Sequence, residues 1–414
     1  MKIGIFGGAF DPVHKGHAEI CKKVVAEYGL DKLIVVPSYN PPHKRITGGS
    51  FLQRKKLLTA ALADIPAEIS DIEYNDKKNN FTFEVVAKIA GANLGCEPYY
   101  IVGGDALSGM PSWKNPERIF ETAAIIAIDR PGYPDVVGTA ARLRAEYGAR
   151  VSISRIDAPD ISSNKIRTLL ELGDTAAAAG LLPDGVIELI VKDGMYRRFR
   201  RYLRFVRAAS GDGLFGHVKR AVIAASEYNE RAGLSSGKVF LSALLHDAAK
   251  EISFEAVGED GGNTVYRVAE TWLRRVDGAS MGRGYYEKLR NSEYYAPSGT
   301  SKPVLHQFLG AEIAKKVLAV SDKAVIDAVR YHTTAKPGMT SLGKIVYLAD
   351  KTEAERDYEG VDGLRRAARL DIDGAFWNSL ERNYRYVSEK TADMTGLTRE
   401  AYEYYSGRRS VNGG

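Results

Sequence analysis

Residues 1–17 read MKIGIFGGAFDPVHKGH. The run KIGIF has the length and apolar character of a buried strand, and its place at the start of the chain makes it the expected first, central strand. Gly7 and Gly8 end it. Lacking side chains, they let backbone N–H groups approach a ligand closely. A helix is expected to begin within residues 14–18, where free N–H groups and the helix dipole favour an anion. His14 and His17, three residues apart, then share one face of the first turn. Gly16 between them is expected to leave space for a phosphate. The arrangement suits a nucleotide, with adenosine along the strand ends, phosphates at the helix start and imidazoles donating to the phosphoryl group under attack. The stretch lacks the lysine of a P-loop, which disfavours kinase-type chemistry.

From this strand the same alternation continues to about residue 195. KIGIF, KLIVVP, AEISDIEY, PYYIVGG, AAIIAID and RVSISRI read as strands. Amphipathic segments separate them, for example residues 18–28 and 51–63. Such alternation predicts parallel βαβ units, an α/β doubly wound parallel sheet of Rossmann-like type. Past residue 200 the spacing becomes helical in VKRAVIAASEYNERAG, LSALLHDAAKE, LGAEIAKKVL and KAVIDAVRYH. An all-α domain is therefore expected to follow. Residues 258–303, rich in Gly, Tyr and Ser, read as a helical excursion with loops. The expected division is residues 1–197, residues 198–408 and a flexible tail over 409–414.

Composition sets the outer limits. A chain of 414 residues fits two domains, and 44% hydrophobic with 27% charged residues fits a soluble globular protein. No stretch approaches the roughly 18 apolar residues of a membrane span, and no signal peptide is evident. The two cysteines, Cys21 and Cys96, have no metal-type spacing, so a disulfide scaffold and a zinc ribbon are excluded and a cytoplasmic setting is expected. The net charge is +6. Part of it lies in YRRFRRYLRFVR, residues 196–207, which reads as a solvated helix face or a surface for phosphate-bearing ligands. A nucleic-acid partner is disfavoured. Homo-oligomerisation stays open.

GGAFDPVHKGH resembles the nucleotidyltransferase superfamily with the His-x-Gly-His motif. Four further segments are similar to the nicotinate mononucleotide adenylyltransferase family of NAD synthesis: PSYNPPHK, FTFEVV, YYIVGGDALSGMPSWKNPERI and ISSNKIR. The resemblance covers about residues 1–196 and ends in LLPDGVIELIVKDGMY. It implies that His14 and His17 line the ATP phosphates and stabilise the transition state, with Lys44 adding positive charge. Gly8, Ala9, Phe10, Gly103, Asp105, Arg130, Ser162, Ser163 and Arg167 are then ATP-binding residues. Lys44, Thr82 and Trp113 face nicotinate mononucleotide. Asn164 replaces the family's threonine and keeps a short side chain able to cap the following helix. The implied reaction is in-line attack by the mononucleotide phosphate on ATP, with Mg²⁺ on the departing pyrophosphate. Phosphopantetheine is the alternative substrate of the superfamily. An aminoacyl-tRNA synthetase is disfavoured, since this half is short and has no matching lysine loop.

The helical half holds four of the seven histidines, at 217, 246, 306 and 332. His246 and Asp247 sit together on an apolar helix, where an imidazole can hold one ion and the two oxygens of a carboxylate can bridge a pair. Lys250 lies on the same face as His246. His217, His306, His332 and Asp350 complete a candidate ligand set whose mixed imidazole and carboxylate donors suit iron or manganese. The order His…His-Asp…His…His…Asp resembles the HD-domain metal-dependent phosphohydrolases. LLHDAAKE, LHQFLGAEIA, RYHTTA and KIVYLADKTEAERDYEGVDGLRRAA are similar to the bacterial YqeK-type family, over about residues 200–396. That resemblance implies two transition-metal ions, with Asp247 and Lys250 catalytic, and symmetric hydrolysis of diadenosine tetraphosphate to two ADP. The alternatives are a phosphodiesterase for another signalling nucleotide and a non-catalytic regulatory module.

Overall fold

The computed structural model describes residues 1–40, 48–76, 81–129, 135–154, 156–390 and 396–412, apart from the side chains of 75, 76, 105, 390 and 409–412. The chain forms two compact units, Met1–Arg197 and Arg198–Gly414.

In the first unit six strands make one parallel sheet. They are β1 (Lys2–Gly8), β2 (Lys32–Pro37), β3 (Ala67–Ile69), β4 (Glu97–Gly103), β5 (Ala124–Ile128) and β6 (Val151–Ser154). Their order is β3-β2-β1-β4-β5-β6, so KIGIF is central as expected. Every pairing is parallel, with Ile5 opposite Ile34 on one side and Tyr100 on the other. The order reverses between β1 and β4. In open parallel sheets that switch point, at the carboxyl ends of the strands, is where ligands collect.

Strand β5 is buried along its whole length, as a central parallel strand covered on both faces should be. Ile3, Ile5, Val36, Val102 and Ile125 pack with Val86, Leu107, Ile119 and Leu143 in one core. Each such fully buried aliphatic side chain contributes about 1.5–3 kcal/mol relative to exposure. The helix read over 18–28 begins earlier, at Lys15–Tyr28, and that read over 51–63 stops at Phe51–Ala61. Ser50 and Gln53 start the second helix with a reciprocal capping box. AEISDIEY departs from expectation: only Ala67–Ile69 pairs, and the chain turns helical over Ile72–Asp76. Ser70 ends the strand there, because its hydroxyl accepts the N–H of Ile72 at 3.2 Å.

The second unit is mainly helical: three of the four helical readings correspond to Asp212–Ala232, Lys302–Lys316 and Lys323–Arg330, and LSALLHDAAKE is helical only as far as the end of Ser236–Leu245. The basic run enters the helix Arg200–Ala209, which buries Tyr202, Phe205 and Val206 and exposes Arg200, Arg201, Arg204 and Arg207.

One expectation is corrected here. Residues 258–303 are not a helical excursion. They contain most of a three-stranded antiparallel sheet, β7 (Phe254–Asp260), β8 (Asn263–Val268) and β9 (Tyr294–Pro297), together with short helices. Gly261 and Gly262, both at positive φ, form the two-residue turn between Asp260 and Asn263. The unit is thus α-helical with an inserted sheet. In addition, the last helix, Gly396–Asn412, carries helical backbone into the stretch expected to be a flexible tail. Among the described residues no helix is long and apolar enough to cross a membrane.

Candidate active sites

At the end of β1 the chain turns through Ala9–Pro12 into the helix Lys15–Tyr28. His14 is the N-cap and is 2% exposed. Its Nδ1 accepts the N–H of His17 and the Nδ1 of His17 accepts the N–H of His14, each at 3.4 Å. The rings stack, centroids 3.7 Å apart. With Nδ1 used as an acceptor, a neutral ring carries its proton on Nε2, so the pair offers two Nε2–H donors. Phe10 reaches His17 edge-on at 5.0 Å from a left-handed backbone, φ 46°.

The protein's own packing also requires Gly16. A Cβ there would lie 2.9 Å from the Pro159 carbonyl oxygen and 3.1 Å from the His14 ring. Protein atoms therefore exclude a side chain at this position.

The loop is tied to the sixth βα junction. Ser162 caps the helix Ser163–Glu171, its hydroxyl accepting the N–H of Lys165 at 3.1 Å. Asn164 therefore does not cap; its Oδ1 accepts from Arg167 at 3.4 Å. Ser163 donates to the Pro12 carbonyl at 2.9 Å and Arg167 to the Asp11 carbonyl at 2.6 Å.

Arg54, which no motif in the sequence singles out, is 1% exposed. It donates to the carbonyls of Ala9 (2.5 Å), Ser38 (2.6 Å) and Gly49 (3.3 Å). It thereby fastens the ends of β1 and β2 to one helix. Burial lowers its guanidinium below its usual value, while the negative side of Asp11 opposes the shift. Tyr100 is a second unforeseen member. Its phenol hydrogen-bonds Thr82, and Trp113 meets its ring edge-on at 6.3 Å. Burial pushes that phenol up to about 12. Thr82 and Trp113, two of the three residues expected at the nicotinate end, thus converge on one neutral tyrosine. Its hydroxyl lies 3.1 Å from the Cβ position of Gly7, beside the end of β1. Gly103 precedes the short helix Gly104–Gly109 at the end of β4. Lys44 and Arg130 lie outside the described residues, as does the side chain of Asp105.

In the second unit the six expected ligands do come together. His217 stands on the helix Asp212–Ala232 and His306 on Lys302–Lys316. His332 follows Lys323–Arg330, and Asp350 lies on Ser341–Thr352. His246 and Asp247 are not within a helix as expected; they follow the helix Ser236–Leu245 in a turn.

One ligand atom from each of His217, His246, Asp247 and Asp350 lies within 4.8 Å of every other, and the same holds for Asp247, His306 and His332. Asp247 joins the groups through different oxygens. Its Oδ2 is 3.5 Å from His217 Nε2 and 3.3 Å from His246 Nε2. Its Oδ1 is 3.2 Å from His306 Nε2 and 3.3 Å from His332 Nε2. Lys250 donates to Oδ2 at 2.6 Å.

Backbone and carboxylate partners set the ring orientations. His246 Nδ1 lies 2.7 Å from the Ala243 carbonyl and His332 Nδ1 2.8 Å from that of Val329. His217 Nδ1 lies 3.2 Å from Glu353 Oε1, and Arg220 donates to the other oxygen of Glu353 at 2.5 Å. An Nδ1–H given to an acceptor leaves Nε2 as a lone pair. Yet the Nε2 atoms of His217 and His246 face each other at 3.2 Å, as do those of His306 and His332. Two lone pairs at that separation, as on His217 and His246, repel unless a proton or a cation lies between them. Asp247 Oδ1 is also buried without a well-directed hydrogen bond. The donor set therefore fits two divalent ions of imidazole-accepting type, and fits Mg²⁺ alone poorly.

The charges agree. Burial works against ionised Asp247, but the positive charge and hydrogen bond that His246 supplies when protonated, with the imidazoles of His306 and His332, hold its carboxyl well below the usual range. Burial likewise opposes ionised Asp350, and Lys351, His217 and His246 hold it well below that range. Burial pushes the His332 imidazole down to about 4, leaving it neutral and ready to coordinate. Glu353 was not foreseen. Its sequence signal is weak: an acid three residues past Asp350.

Comparison with known proteins now bears on both units. A cytidylyltransferase-like family model matches residues 5–169 and an HD-domain model matches residues 214–355. A probable nicotinate-nucleotide adenylyltransferase of Rubrobacter xylanophilus is 32% identical over 207 residues, 49% of this chain and 96% of that protein. Another from Clostridium tetani is 33% identical over 202 residues, 47% of this chain and 99% of that protein. The chain belongs to the nicotinate-nucleotide adenylyltransferase family. Its adenylyltransferase unit is joined to an HD domain. A protein of Mycoplasma genitalium described as a probable nicotinate-nucleotide adenylyltransferase/Ap4A hydrolase shares both parts. It is 24% identical over 388 residues, 92% of this chain and 97% of that protein.

Proposed function

We propose that the chain is a bifunctional enzyme. The adenylyltransferase unit transfers AMP from ATP, taken as its Mg²⁺ complex, to nicotinate mononucleotide. The observation that carries this reading is the stacked His14–His17 pair at the switch point of the sheet. A phosphate oxygen of the mononucleotide attacks the α-phosphorus. The bond from that phosphorus to the oxygen bridging the β-phosphate breaks, and pyrophosphate leaves. No protein nucleophile is required, so catalysis is positioning and charge stabilisation. His14 and His17 donate through Nε2 to the phosphoryl oxygens as charge builds, and Lys44 adds positive charge. Gly8, Ala9, Phe10, Gly103, Asp105, Arg130 and Ser162 serve the ATP side. Ser163 and Arg167 act there at least through the loop they hold. Thr82, Trp113 and Tyr100 take the nicotinate end. Purified protein with Mg²⁺, ATP and nicotinate mononucleotide should form deamido-NAD and pyrophosphate. Preference for phosphopantetheine would overturn the substrate assignment.

The HD unit hydrolyses diadenosine tetraphosphate to two ADP. His217, His246, Asp247 and Asp350 would hold one divalent ion and Asp247, His306 and His332 a second, iron or manganese by their donors. Two such ions supply Lewis acidity and an activated water when bound. Lys250, at 41% side-chain exposure, places its ammonium 2.6 Å from Asp247 Oδ2, suited to offset charge on a phosphate. The water oxygen bonds to a phosphorus beside the central bridge, the bond from that phosphorus to the bridging oxygen breaks, and each half leaves as ADP. The product pair tests this. AMP with ATP would show asymmetric attack. No turnover of any dinucleoside polyphosphate would favour the phosphodiesterase or regulatory alternatives.

A further inference from the structure

His306 and His332 come from segments 26 residues apart, yet their Nε2 atoms lie 3.2 Å from each other. Gln307 accounts for that register. It follows His306 on the helix Lys302–Lys316 and is 0% exposed. Its side-chain amide is directed wholly at the turn after His332. Oε1 accepts the N–H of Thr333 at 3.2 Å and of Thr334 at 3.3 Å. Nε2 donates to the Thr334 hydroxyl at 3.1 Å, and that hydroxyl donates to the Ala335 carbonyl at 3.0 Å.

The turn needs such support. Ala335 sits at φ 60°, a left-handed conformation that is strained for a residue other than glycine. A buried amide also has to recover its own desolvation through good hydrogen bonds. The clamped turn delivers two groups to the site. His332 Nε2 reaches Asp247 Oδ1 at 3.3 Å. Thr333 Oγ1 lies 3.0 Å from His332 Nε2 and 3.3 Å from His306 Nε2.

We propose that Gln307 is the positioning residue of the second ion subsite. By bridging the residue after His306 to the two residues after His332, it fixes the bite of the two imidazoles. It thereby sets the affinity for one ion and not the other. This rests on the two-ion reading of the HD unit. The His217, His246 and Asp350 group stands on other elements and receives no bond from the clamp.

The test is calorimetric titration of Mn²⁺ into the chelator-stripped full-length chain. Wild type should show two binding events. Gln307→Met, similar in volume but without the amide, should weaken one event by about 10–100-fold, the usual cost of losing an outer-shell partner, and leave the other unchanged. Gln307→Glu retains the acceptor for both N–H groups and should restore the weakened event. Two undiminished events in Gln307→Met, or equal weakening of both, overturn the proposal while leaving the two-ion reading intact. A single event in wild type overturns both. Should Gln307→Met fail to fold, Thr334→Val, which removes the hydrogen bonds of the Thr334 hydroxyl to Gln307 and Ala335, must weaken the second event alone; two unchanged events there overturn the proposal equally.

Discussion

Tyr196 donates its phenolic hydrogen to Asp11 Oδ1 at 2.9 Å, across 185 residues of chain. The acceptor belongs to the loop that ends β1, the donor to the last residues of the first unit. Gly48 donates to the other carboxylate oxygen at 3.2 Å, so a buried acid joins three separated segments.

Tyr196→Phe leaves that buried acid short of one donor, at a cost of about 1–3 kcal/mol. Burial, then the charge of Asp11 and the hydrogen bond to it, hold the Tyr196 phenol well above its ordinary value of 10.0. The unfolded chain therefore loses this proton at a lower pH than the folded chain does. The contribution is full below about pH 10 and is lost as pH rises through the folded value. Urea unfolding of Tyr196→Phe should show lower stability at neutral pH and a shallower alkaline decline. A fragment of residues 1–197 should fold alone, whereas one of residues 1–190 should be measurably weaker by circular dichroism.

His17→Ala removes one pre-placed donor. Turnover of adenylyl transfer should fall by about 10²–10³-fold, with nicotinate mononucleotide binding much less affected. Steady-state kinetics check this. A loss confined to KM would assign His17 to ground-state binding instead.

Asp247→Asn replaces an anionic bridge with a neutral amide. Hydrolysis of diadenosine tetraphosphate should disappear, and elemental analysis should find less metal in the purified chain. Deamido-NAD formation should continue, since the residues assigned to it all precede residue 198. Hydrolysis at the wild-type rate would remove the bridging role.

Glu353→Gln weakens the acceptor for His217 Nδ1–H and breaks its ion pair with Arg220. Metal affinity at the His217 side should drop by about 10–100-fold. This lesion is the mirror of Gln307→Met, and the two variants together should separate the ions in a Mn²⁺ titration.

The parts legible from sequence are those where backbone and chemistry make the same demand. At KIGIFGG the apolar run and the glycines both point to a strand ending at a ligand. The histidine–aspartate series was legible because scarce imidazoles and acids recurring within apolar segments seldom serve packing alone. What escaped was polar and buried. Arg54 lies between Gln53 and Lys55, and nothing local distinguishes the cation that turns inward to three carbonyls. Gln307 is hidden in the same way, since its partners are backbone groups supplied by a distant turn. The sheet β7–β9 escaped because β7 is exposed almost throughout and shows no alternation of burial. Its one clear signal, Asp260-Gly261-Gly262-Asn263, is a two-residue hairpin turn that composition alone obscured.

The reciprocal cap between His14 and His17 joins two duties in the same atoms. It begins a helix, and it orients the donors assigned to the transferred phosphoryl group. Helix ends fray long before a sheet gives way. Mild warming should therefore scatter both imidazoles while the six-stranded sheet is still intact, so that the first turn behaves as a thermal fuse. Adenylyl transfer should decline at temperatures where circular dichroism still reports a folded chain. ATP, by bracing the turn, should postpone that decline.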